Sequence, residues 1–144
     1  NDIDYMDANR DFTTNPVNYS IPDFKAFVEN LHEHGQKYVM MFDPAIQDNL
    51  GDGNYAPYDD GVKADVFIKN AEGSIFNGSV WPGPTAFPDF FHPATYKWWE
   101  RHLADWHEEI PFDGMWIDMN EPSNFNTGRP VGVSPLPSSS LSSA

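Results

Sequence analysis

Met115–Pro122, MWIDMNEP, runs Met115, Trp116 and Ile117 directly into Asp118 and then Glu121 before a proline stops it. A carboxylate beside a large apolar surface is costly unless it is paired or put to use. Two further acids stand in comparable places: Asp2 (with Asp4 as its alternative) in DIDYM, and Asp43 in MMFDPAI. Carboxylates that converge beside tryptophan suit sugar chemistry, because an indole face packs on the C–H surface of a pyranose while carboxylates accept from several hydroxyls. VWPGP supplies a further ring, Trp81, on a backbone stiffened by prolines. Glycoside hydrolysis commonly needs two carboxyl groups, and in retaining enzymes one of them is the nucleophile. Asp118 and Glu121 are three apart, but if the first ends a strand and the second lies beyond it they need not face one another, and they are not paired here. The plainer readings are Asp as a helix cap, Asp43-Pro44 as a turn, and tryptophan as packing.

The elements that must carry these residues follow from hydrophobic spacing. In residues 23–34, Phe24, Phe27, Val28 and Leu31 fall on one helical stripe, with Pro22 at the start and Gly35 at the end. KYVMMFD, 37–43, is a short continuous apolar run of the kind that forms a strand buried on both faces. A second helix is predicted over 93–109, with Tyr96, Trp99, Leu103 and Trp106 on one face, followed by a strand in FDGMWID, 112–118. DIDYM resembles the end of an earlier strand. Helix–strand alternation predicts parallel strands joined by crossover helices, a fold class in which sites form at the C-terminal strand ends. The connection over 44–92 is far longer than usual and is predicted to hold a hairpin, DVFIK and SIFNGSV around NAEG, walling that same end. From Thr127 onward the Ser, Pro and Gly content predicts a disordered tail.

A formal charge of −14 argues against nucleic acid or an anionic membrane as partner. No apolar run is long enough to span a membrane. Without cysteine there is no thiolate chemistry and no Cys-ligated metal, and the acidic motifs lack the His partners of catalytic zinc, so no metal or cofactor is expected. The sequons at Asn18 and Asn77 are expected glycosylation sites and point to the secretory pathway, extracellular or lysosomal.

GMWIDMNEPSNF resembles the signature of glycoside hydrolase family 31, the α-glucosidase family, and DIDYMD, FDPAI and VWPG resemble its other segments in the same order, together covering residues 1–126. The resemblance implies part of a (β/α)₈ TIM barrel, comprising about two βα units and a long loop with a hairpin, followed by a separate tail, 127–144. It implies a retaining hydrolase that removes α-linked glucose from the non-reducing end of oligosaccharides. Asp118 is then similar to the nucleophile. Asp2, Ile3, Asp43, Trp81, Trp116 and Met119 would bind the sugar, and Glu121 would support the loop beyond the nucleophile. The family's acid/base and two further substrate-binding residues lie well beyond its nucleophile, so the partner of Asp118 is expected outside these residues. An isolated partial barrel is also expected to expose sheet edges and to aggregate. The alternative is a sugar-binding or nonfunctional fragment that performs no chemistry.

Overall fold

The computed structural model describes residues 1–48 and 54–126. The expected tail lies outside the described residues. Helix α1, Ile21–Glu33, begins where Ser20 accepts the Asp23 backbone N–H and where Pro22 occupies the first turn. Gly35, at φ +69°, ends it by adopting the left-handed conformation that glycine reaches without strain. Phe24 and Val28 are buried and Leu31 packs partly on the same core, whereas Phe27 is half exposed and meets the edge of Tyr38.

Strand β1, Val39–Phe42, follows, and its Met40, Met41 and Phe42 are all buried. The long connection then forms β2, Ile46–Gln47, the short helix α2, Ala56–Lys63, and a hairpin of β3, Asn77–Val80, and β4, Gly83–Ala86. β2, β4 and β3 make an antiparallel sheet in that order. The predicted NAEG turn exists, with Gly73 donating to Asn70 and a bridge between Lys69 and Ile75, but the regular hairpin lies further along and turns at Trp81-Pro82. α2 was not foreseen. It crosses close to Phe67, where a Cβ on Gly61 would come within 2.5 Å of the ring.

Helix α3, Pro93–Glu109, buries Thr95, Trp98, His102 and Trp106. The predicted stripe is therefore rotated: Trp106 is buried and Trp99 and Leu103 pack partly on the core, but Tyr96 points to solvent. The Trp98 indole N–H donates to Pro57 O at 3.1 Å, which fixes α3 against α2. Strand β5, Gly114–Ile117, returns parallel to β1 with Val39 opposite Gly114 and Phe42 opposite Ile117. The crossover order read from the sequence is thus borne out for β1, α3 and β5. DIDYM is a correction: Ile3–Tyr5 is a turn of 3-10 helix, because the Asp2 carboxylate accepts the Ile3 N–H at 2.7 Å and closes the chain into a cap.

The principal core lies between α1, α3 and the β1–β5 pair, and holds Tyr5, Phe24, Val28, Met40, Phe42, Trp106 and Ile110. The bottom of that pair is clamped by Asp113. Its carboxylate accepts from Lys37 Nζ at 2.8 Å and the Tyr38 N–H at 2.9 Å, and contacts His32 Nε2 at 2.7 Å. The Lys37 hydrogen bond, then the Tyr38 N–H and His32, hold the Asp113 carboxyl well below its usual value near 3.8. A carboxyl lowered by folding stabilises the folded state above its unfolded pKa, and that contribution fades as pH falls toward the folded value. Asp113→Asn is therefore expected to lower the melting temperature at neutral pH, with the gap from wild type narrowing steadily below about pH 4, as read by thermal melts across pH.

Candidate active site

Side chains alternate across a strand, so Trp116 and Asp118 project from the face of β5 opposite to Met115 and Ile117. The Asp118 N–H makes the last contact of the parallel ladder, 3.5 Å from Phe42 O, and the chain then leaves the sheet. Asp118 Oδ1 accepts the following Met119 N–H at 2.9 Å, while Met119 takes φ +60°. A non-glycine residue in that region is uncommon and marks a sharp turn held by its surroundings. Here the surroundings are apolar: Met119 packs on the cluster of Ala45, Val80 and Phe87.

Asp43 ends β1 next to this turn. It is 3% exposed, its N–H donates to Asp11 Oδ1 at 2.9 Å, and its own Oδ1 has no hydrogen-bond partner among the described residues. Burial raises its carboxyl to about 6, and the charges of Asp118 and then Asp2 push in the same direction. Asp2 itself is exposed at the head of the 3-10 turn. The three acids that the sequence placed at three strand ends are therefore close enough for Asp43 to feel both of the others. Burial and these charges both favour the protonated form of Asp43, relative to an ordinary aspartate.

Three tethers join the surrounding walls. Asn9 Nδ2 donates to Trp81 O at 3.2 Å, tying the N-terminal segment to the hairpin tip. The Ser79 N–H donates to Asn124 Oδ1 at 3.0 Å, and the Phe125 N–H returns to Ser79 O at 2.9 Å. Gly78 permits that docking, since a Cβ there would stand 2.5 Å from the Phe87 ring and 2.8 Å from Asn124 Oδ1. The Trp81 ring then meets Phe125 edge-to-face, with centroids 4.8 Å apart, and both rings stay about half exposed. Trp81 and Trp116 are both available to a ligand, while Met119 is drawn partly into the hairpin core.

Ile3 packs against the principal core. Glu121 is exposed and lines an apolar cleft of about 520 Å³ with Phe42, Phe91, Trp99 and Ile117, on the side of β5 away from Asp118. That cleft contains none of Asp2, Asp43 or Asp118, which gather instead where the charges of Asp2 and Asp118 act on Asp43. Sequence reasoning missed Asp11, Asn9, Asn124 and Phe125, whose roles depend on contacts made from distant parts of the chain. Asn18 is presented to solvent ahead of α1, whereas Asn77 on β3 is partly buried and donates to Asp48. Among the described residues no group of three or more His, Asp or Glu is arranged to hold a metal ion, and no helix is long and apolar enough to cross a membrane.

Parallel strands joined by a crossover helix, with acids gathered at their C-terminal ends, are the α/β arrangement of a barrel segment. The family model for the glycosyl hydrolases family 31 TIM-barrel domain matches residues 1–139, and the chain belongs to that family. It is 52% identical over 132 residues to the lysosomal alpha-glucosidase of Bos taurus, covering 92% of this chain and 14% of that protein. It is 46% identical over 128 residues to alpha-xylosidase 1 of Arabidopsis thaliana, covering 89% of this chain and 14% of that one. Among solved structures it resembles the glucosidase II alpha subunit with a TM-score of 0.77 at 34% identity, over 86% of this chain and 13% of that one. The chain thus spans about one seventh of the length of these curated relatives.

Proposed function

We propose that these residues are the nucleophile-bearing part of a retaining α-glucosidase acting on non-reducing terminal α-linked glucose. The observation that carries the proposal is the position of Asp118: it stands at the C-terminal end of a parallel strand in a family 31 barrel segment, with Asp43 and Asp2 near it. In this reading Asp118 attacks the anomeric carbon as the glycosidic C–O bond breaks and the acid/base protonates the departing alcohol, and water then opens the glycosyl–enzyme ester to free the sugar and Asp118. Its Oδ1 is steadied by the Met119 N–H, which leaves Oδ2 to attack. Asp2 and Asp43 bind hydroxyls of the terminal sugar, and a proton on Asp43 lets it donate as well as accept. Trp81 and Trp116 pack on the sugar ring, and Met119 closes the subsite. Glu121, turned to the other side of β5, supports its own loop and is not the acid/base; that group comes from another part of the barrel. Asn18 is the sequon better placed to carry a glycan, which suits a secretory or lysosomal enzyme.

The test is proton NMR of the first product released from an aryl α-glucoside by a complete barrel carrying this segment. α-Glucose should appear before mutarotation produces the β anomer. β-Glucose first would contradict retention, and faster cleavage of the matching α-xyloside would move the sugar assignment. Binding without turnover would leave the sugar-binding alternative.

A further inference from the structure

Asp11, in the polar stretch NRDF, is 1% exposed, deeper than any other carboxylate among the described residues. Its Oδ1 accepts the Asp43 N–H at 2.9 Å, and its Oδ2 is enclosed with no hydrogen-bond partner among them. The groups that could compensate a charge there are committed elsewhere. Tyr5 Oη donates to Met41 O at 2.7 Å, and Tyr55 Oη donates to the Asp11 backbone carbonyl at 3.0 Å rather than to its carboxylate. Arg10, the adjacent cation, is bound to Asp7 through both Nε and Nη2 and lies over the Tyr55 ring, 5.6 Å from its centroid. An ionised Asp11 would thus be enclosed with little beyond backbone N–H donors, facing Asp43. An isolated buried carboxylate neutralises rather than bear that cost.

We propose that Asp11 is a positioning residue of this site, held as the neutral acid: its Oδ1 takes the Asp43 backbone N–H and fixes the end of β1 beside Asp118 without adding a charge to the cluster. The inference rests on the reading of Asp118 and Asp43 as the site, and gives the Asp43 loop a reason for its geometry. Burial, and then the Asp43 charge, raise the Asp11 carboxyl well above the ordinary range, in keeping with the hydrogen-bond geometry. An Asn at position 11 would preserve both the acceptor and the neutrality; an Ala would remove the acceptor.

The experiment is carboxyl-carbon NMR of a complete barrel carrying this segment, labelled at aspartate, with amide exchange read at Asp43. The Asp11 signal is expected to stay flat between about pH 4 and 7, where ordinary aspartates finish titrating. Asp43 should titrate near 6 in wild type. Asp11→Asn should leave that midpoint in place, whereas Asp118→Asn should lower it by removing a charge. Asp11→Ala should raise exchange at the Asp43 amide by about tenfold or more, while Asp11→Asn keeps it protected. The proposal is overturned if Asp11 titrates in the ordinary range, if Asp11→Asn lowers the Asp43 midpoint by about a unit, or if Asp11→Ala leaves Asp43 exchange unchanged. Should Asp11→Ala not fold, the Asp11→Asn midpoint and the Asp11 signal decide alone. None of these readouts needs turnover, so failure of the hydrolase reading would register separately, as an absence of sugar chemistry at Asp118.

Discussion

Replacing Asp118 with Asn in a complete barrel that carries this segment is expected to lower kcat on an aryl α-glucoside by on the order of 10⁴ to 10⁶, with kcat/KM falling alongside it. The amide preserves the shape of the turn, since its Oδ1 can still accept the Met119 N–H. On the proposed reading it removes the nucleophilic oxygen, so the barrier should rise while the proposed sugar walls remain. Steady-state kinetics read both constants. A variant that raised KM alone would assign Asp118 to uniform substrate binding instead.

The largest expected loss of stability follows from Phe42→Ala. Phe42 is 1% exposed, packed on the rings of Phe12 and Phe112 at 5.6 and 5.3 Å between centroids. It stands opposite Ile117 in the parallel pair, and its carbonyl receives the Asp118 N–H. Truncating such a ring leaves a cavity that rigid neighbours cannot fill, at a cost of about 3–5 kcal/mol. Urea unfolding should show a lower midpoint with little change of slope. Phe91→Ala supplies the contrast: that ring is 99% exposed, and its loss should stay within about 0.5 kcal/mol. Where the Phe42 variant still folds, activity should fall too, because displacing a reacting group by about 1 Å costs on the order of 10²-fold.

The elements visible in the sequence were those with a strong period and clear ends. α1 is announced by Pro22 and stopped by Gly35, and the apolar runs around Val39–Phe42 and Gly114–Ile117 are too short for helices. α3 was visible as a helix but not in its rotation, since Trp98 and Trp99 are adjacent and either could lead the buried stripe. Trp98 won through its indole bond to Pro57 on α2, an element the sequence hides behind a proline, an internal glycine and no apolar stripe. The hairpin was displaced for a related reason. Pro82 and Pro84 argue against a strand, yet β4 holds Pro84 opposite Ser79, and the Pro84 carbonyl still accepts the Asp48 N–H at 2.8 Å.

At the site, the acids expected at strand ends were legible because a carboxylate after an apolar run is anomalous. The arrangement around them was not. DIDYM carries its acid on a capped 3-10 turn rather than a strand, and Asp11 looks like any surface acid until the fold encloses it beside Asp43. Glu121, three residues beyond Asp118, lines the apolar cleft with Ile117 and Phe42.

The central claim is that Asp118 forms a covalent bond to the sugar. A 5-fluoro α-glucosyl fluoride, whose electron-withdrawing substituent slows opening of the glycosyl–enzyme more than its formation, should inactivate a complete barrel carrying this segment. Peptide mass spectrometry should then find one fluoroglucosyl group, on Asp118, and none in Asp118→Asn. A label on Asp2, Asp43 or Glu121, or turnover without any label under conditions that trap a retaining control enzyme, would contradict the account.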